Sequence, residues 1–103
     1  MTPTYDQARQ FGKTYVGALN TSHEAYAALF APAAEVRVGG AAAPLARVLA
    51  DTPPGRSAFR GARLEAPDVL LTVRVRDRAA ESVDDRVHRL RLDAHGRITA
   101  LEA

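Results

Sequence analysis

The sequence predicts an α+β fold, with helices at the front and an antiparallel meander of strands behind them. Two observations carry this. Apolar residues recur at helical spacing up to about residue 30 and then switch to alternation with period two. Short turn signals separate the alternating runs, with no internal repeat and no linker, so the helices pack on one face of a single sheet.

From Thr4 to Leu19, the residues Phe11, Tyr15, Val16 and Leu19 lie on one helical face. "LNTSHEAY" interrupts that helix. Thr21, followed three residues later by Glu24, reads as a capping box opening a second helix. Tyr26, Leu29 and Phe30 form its apolar stripe, and Pro32 ends it. Ala34 to Val38 alternates as a short strand that stops at Gly39-Gly40. Pro44 opens a third short helix through Ala50, and "DTPPGR" is a loop. "SAFRGARLEA" follows, then a turn at Pro67-Asp68 and the alternating "VLLTVRVRD". "RAAESVDD" reads as a connection, and the closing strands turn once more at Asp93 to Gly96.

A length of 103 residues is that of one domain, 1–103, with a modest core. Hydrophobic residues at 47% and charged residues at 25% are ordinary globular values. No cysteine is present, which excludes disulfides, thiolate zinc sites and a cysteine nucleophile, and suits a reducing cytoplasm. The first residues have no apolar signal core, and no run approaches the roughly 18 residues of a membrane span. A cytoplasmic protein without membrane attachment is expected. The sequence pI is near 9.5. Yet net charge is only +2, and the 13 arginines and Lys13 are scattered among 12 acids. That pattern, with no basic block, argues against nucleic-acid binding.

"TYVGALNTSHEAYAALFAPAAEVRV" and "VHRLRLDAHGRITAL" together resemble the nuclear transport factor 2-like superfamily, in particular ketosteroid isomerases and SnoaL-like polyketide cyclases. The shared features are a tyrosine, "LN", an "ALFA" helix, an "A-x-V" strand and a late "D-x-x-G-R-I" turn. The resemblance implies a cone-shaped, cystatin-like roll: two to three N-terminal helices held in a strongly curved, mostly antiparallel sheet around an apolar pocket. The isomerase branch uses a helix tyrosine, a late-strand acid and a proton-shuttling aspartate. These fall on Tyr15, His88 and Val38 in this chain. With valine at the shuttle position, steroid isomerisation has no base and is not expected. The shorter turn between the first helices and the early end of the last strand imply a compact pocket for a small, planar or apolar ligand.

His88 shares the inward face of its strand with Leu90 and Leu92, while Val87, Arg89 and Arg91 face the other way. An imidazole in an apolar pocket can serve as acid or base; equally, it can be a core residue hydrogen-bonded to a tyrosine or carbonyl. His88 and Tyr15 are the candidate catalytic pair, with Tyr15 as donor to a developing oxyanion or simply as a core aromatic. Arg86, two residues earlier on the same face, is a candidate anchor for an acidic ligand group or a snorkelling rim residue. Asp84, of the same parity, is placed to orient it. Phe11, Val36, Val38, Val73 and Leu90 complete the candidate pocket lining. No His/Asp/Glu grouping has metal spacing, so neither metal nor cofactor is expected. His23 and His95 read as solvated, and Gly39-Gly40 as a strand exit, not a phosphate loop.

Arg74, Arg76, Arg89 and Arg91 lie on the opposite sheet face. If Val73 pairs with His88, Arg76 faces Asp85 and Thr72 faces Arg89. In the resembled superfamily that face often forms a homodimer, which these arginines would either join by ion pairs or oppose. The expected function is small-molecule binding in the cone, with proton transfer or cyclisation next to a carbonyl if catalytic. The alternative is a non-catalytic binding or dimerisation module filled by its own side chains.

Overall fold

A computed structural model describes residues 3–77 and 79–103. Helices α1 (Tyr5–Leu19) and α2 (His23–Ala27) lead into strand β1 (Phe30–Val38). Then follow β2 (Ala41–Ala42), helix α3 (Leu45–Asp51), β3 (Ser57–Glu65), β4 (Asp68–Asp77), β5 (Ser82–Leu92) and β6 (Ile98–Glu102). The strands form one sheet in the order β2-β1-β6-β5-β4-β3. All neighbours are antiparallel except β1 and β6, which run parallel. Register irregularities at Phe30/Glu35, Phe59/Gly61 and Arg91/Leu92 add local twist and help to curve the sheet round the helices. This is the α+β cone that the sequence predicts.

Several boundaries differ from the sequence reading, each for a local reason. The capping box sits at the start of α1: Thr4 accepts from the Gln7 amide at 3.2 Å, and Gln7 Oε1 accepts from the Thr4 amide at 2.9 Å. At α2 the cap is Ser22, which accepts from the Ala25 amide at 3.1 Å. The Thr21 hydroxyl instead donates back to the Gly17 carbonyl at 2.7 Å. Phe30 belongs to β1 and not to α2, because Ile98 of β6 pairs with it; Pro32 falls where that pairing is interrupted and needs no amide bond there. Gly39 (φ 60) and Gly40 (φ 84) turn β1 into β2, a left-handed backbone that glycine adopts at little cost. The acidic start of β5, read as a connection, is strand because β4 pairs with it back to Ser82.

The β4–β5 register is two residues away from the expected one. Leu71 faces His88, Val73 faces Arg86, Thr72 faces Val87, and Arg74 meets Asp85 through bonds of 2.8 and 3.1 Å. Arg76 faces Val83 instead of Asp85. A two-residue slip keeps every side chain on its own face, because strand side chains alternate with period two. The inward face therefore stands: Val69, Leu71, Val73, Leu90 and Ile98 are wholly buried in one core with Tyr15 of α1. On the outer face, Asp68 binds both Arg89 and Arg91 at 3.0 Å.

Two contacts fix α1 on β3. Asn20 takes the Ser57 amide at 3.0 Å and donates to its carbonyl at 2.7 Å, tying the end of α1 to the start of β3. Gly12, in mid-helix, lies under the Phe59 ring, so that a Cβ there would stand 2.8 Å from Cδ1 and 2.9 Å from Cζ. Gly17, in the same helix, has open space around it. Gly17→Ala should therefore stabilise by roughly 0.5–1 kcal/mol through helix propensity. Gly12→Ala should destabilise by about 1 kcal/mol, since overpacking exceeds the same gain. Urea unfolding of both variants checks this; an equal gain at both positions would show that Phe59 moves aside freely.

Candidate functional site

α1 and β5 bring Tyr15 and His88 together, and α2 adds Tyr26. Tyr15 repeats the Phe11 face of α1 one turn later, which turns it into the cone, while strand parity turns His88 inward from β5. The Tyr15 hydroxyl lies 2.7 Å from His88 Nδ1 and 2.6 Å from the Tyr26 hydroxyl. The rings meet edge to face, with Tyr15 centroids 5.3 Å from Tyr26 and 5.7 Å from His88. Tyr15 and Tyr26 have no exposure, and His88 retains 2%.

Burial sets the protonation states. It pushes the Tyr15 hydroxyl well above its ordinary range, helped by Tyr26 beside it, and pushes Tyr26 up as well. His88 is lowered to about 4, by burial first and then by the nearby Arg86 charge, so the ring is neutral at pH 7. Asp84, placed by the sequence to orient Arg86, is exposed and stands 3.9 Å from it.

A neutral imidazole has one donor and one acceptor, and the central Tyr15 oxygen can donate once and accept twice. Two proton arrangements therefore satisfy the chain. Tyr26 can donate to Tyr15 and Tyr15 to Nδ1, which leaves Nε2–H as a donor. In reverse, Nδ1–H donates to Tyr15 and Tyr15 to Tyr26, which leaves Nε2 as an acceptor. Nε2 has no hydrogen-bond partner among the described residues, yet the one completely buried side-chain polar atom without a partner among them is Ser57 Oγ. The outer nitrogen of His88 thus keeps a trace of solvent contact.

The other candidate residues are distributed unevenly. Val73 and Leu90 have no exposure and belong to the packed core, while Val36 and Val38 are half-buried against it. Phe11 is half-buried, its ring 6.2 Å from Tyr15. It also lines a surface recess of about 260 Å³ with Gln7 and Leu92. Arg86 lies elsewhere: its Nη1 donates to the Asp51 carbonyl at the end of α3. Leu92 is six positions further along β5, or about 20 Å along a strand. Arg86 and Phe11 consequently do not share one opening. Among the described residues no group of three His, Cys, Asp or Glu is placed to hold a metal, and no helix is long and apolar enough to cross a membrane.

Tyr26 is the participant that sequence reasoning assigned only to the core. The signal for it was chemical: a tyrosine on a buried stripe needs a partner for its hydroxyl.

Neither a protein-family model nor a curated protein matches the chain. Solved structures do. A SnoaL-like protein of unknown function from Burkholderia thailandensis superposes with a TM-score of 0.75 at 12% identity, over 99% of this chain and 96% of that one. A putative polyketide cyclase from Sinorhizobium meliloti gives 0.67 at 21% identity, over 86% and 88%. A de novo designed NTF2 fold protein gives 0.70 at 14% identity, over 100% and 87%. The chain has the nuclear transport factor 2-like, SnoaL-like cone fold. The sequence resemblance holds at that level, and these likenesses speak to fold alone.

Proposed function

We propose that the protein binds a small planar or apolar molecule on the inward face of β5, with His88 Nε2 as its polar contact. The observation that carries this is the buried Tyr26–Tyr15–His88 chain, which ends on a neutral imidazole whose outer nitrogen has no partner among the described residues. A buried polar chain costs stability unless every member is satisfied. This one satisfies three groups and leaves one nitrogen for something else.

The chain also supplies acid–base chemistry next to a carbonyl. In one arrangement Nε2–H donates to a ligand oxygen; in the other Nε2 accepts a proton, and the tyrosines reorient behind it. Tyr15 acts through His88 and not directly, because its one O–H is donated within the chain, to Nδ1 or to Tyr26. Val38 stands where the resembled isomerases carry their base, so ketosteroid isomerisation is not part of the proposal.

The complete burial of Tyr15, Tyr26, Val73 and Leu90 favours a second reading, a non-catalytic module whose interior is its own side chains. An NMR titration with planar phenols, cyclic ketones and steroids separates the two. Ligand binding predicts a saturable shift of the His88 ring nitrogens and Leu90 methyls with at least one compound, lost in a folded His88→Gln variant. No saturable response to any of them would overturn the proposal and leave the module.

A further inference from the structure

We propose that the His88 site selects ligands that offer it a hydrogen-bond acceptor, such as a carbonyl oxygen, over those that offer only a donor. The selection is made at the far end of the hydrogen-bonded chain, by Tyr26. It rests on the binding reading above and deepens it, because it decides which proton arrangement the bound protein uses.

Each of the two arrangements leaves one proton without an acceptor in the protein, and they differ in where that proton lies. Tyr26 has no exposure, and the Tyr15 hydroxyl at 2.6 Å is the only hydrogen-bond contact of its own hydroxyl among the described residues. When Tyr26 donates to Tyr15 and Tyr15 to Nδ1 at 2.7 Å, both hydroxyl protons are accepted. The spare proton is then on Nε2, at the end of the chain that keeps a trace of exposure. In the reverse order it is the Tyr26 proton, sealed from solvent and from any other acceptor among the described residues.

A bound ligand makes the two orders unequal. An acceptor on the ligand takes the Nε2 proton, and every proton of the chain then has a partner. A donor on the ligand needs a bare Nε2, which forces the reverse order and strands the Tyr26 proton. A buried donor left unpaired costs its full desolvation, so a donor ligand should bind about tenfold more weakly than an acceptor ligand of the same shape. The Arg86 charge, which His88 feels from two positions away on the same strand, also favours the negative end of a carbonyl dipole. In this complex His88 donates and takes no proton from the ligand. Tyr26 is a positioning residue that acts through Tyr15.

The test is a titration with indanone and indole, two flat bicyclic molecules of similar size. The first has only a carbonyl acceptor and the second only an N–H donor. NMR of the His88 ring nitrogens at pH 7, assigned by their loss in His88→Gln, reports both binding and the position of the proton. Indanone should give a saturable shift of Nε2 at an affinity about tenfold or more above that of indole. The proton should be on Nε2 in the free protein and in the indanone complex. Tyr26→Phe keeps the ring and leaves Nδ1 as the one acceptor for Tyr15, so it should show the wild-type tautomer. Indole binding as tightly as indanone would overturn the selection. So would a wild-type proton on Nδ1 that moves to Nε2 in Tyr26→Phe. Failure of both compounds to bind, with the proton on Nε2, would overturn the binding reading and the selection with it, while supporting the tautomer.

Discussion

Lowering the pH from about 6.5 to about 4 is expected to cost the protein roughly 3 kcal/mol of stability through His88 alone. The folded-state pKa of about 4 lies below the ordinary 6.5 of an unfolded histidine. Between those values the unfolded chain binds a proton that the folded one does not, so stability falls as pH falls. Above 6.5 both states are neutral and the contribution is complete; below 4 both are charged and it is gone. Asp68, Asp85, Glu65 and Asp93 are held low by arginines or by backbone amides, and they lose their contributions further down, as pH falls through their depressed values. Urea unfolding at pH 7 and pH 5 for wild type and His88→Leu isolates the histidine, because those carboxylates are common to both proteins. The wild type should lose clearly more than the variant over that interval. Equal losses would mean that the imidazole is solvated and that burial does not hold it neutral.

Leu90→Ala should destabilise by roughly 2–5 kcal/mol. Leu90 has no exposure and sits in the centre of the sheet, opposite Val69 on β4 and Leu101 on β6, both also buried. Its neighbours are held by two strand ladders and cannot collapse far into the space left. Val87, on the outer face three residues earlier, is 54% exposed, and Val87→Ala should stay within about 0.5 kcal/mol. The comparison tests the strand faces on which the inward placement of His88 also depends. A loss under about 0.5 kcal/mol at Leu90 would reverse those faces.

Much of this protein follows from the sequence without any tertiary information. Periodicity is enough to turn Phe11, Tyr15, Val16 and Leu19 to one side of α1, and to put His88 with Leu90 and Leu92 on one face of β5 and Arg89 and Arg91 on the other. Those assignments depend only on 3.6 residues per turn and on two-residue alternation, which backbone geometry imposes locally. The same alternation explains why a register wrong by two residues still put every side chain on its correct face. What the sequence left undecided involves residues far apart in the chain. Phe30 looks like the end of a helix until Ile98 pairs with it, and Asp85 looks like loop until Arg74 meets it. At Gly12 in α1, only the arrival of Phe59, from the far edge of the sheet, shows what the missing side chain makes room for. The joining of Tyr26 to Tyr15 and His88, and the separation of Arg86 from Phe11, were likewise decided by packing. Which polar groups meet in a core depends on how α1, α2 and β5 converge, and distance along the chain carries no record of that.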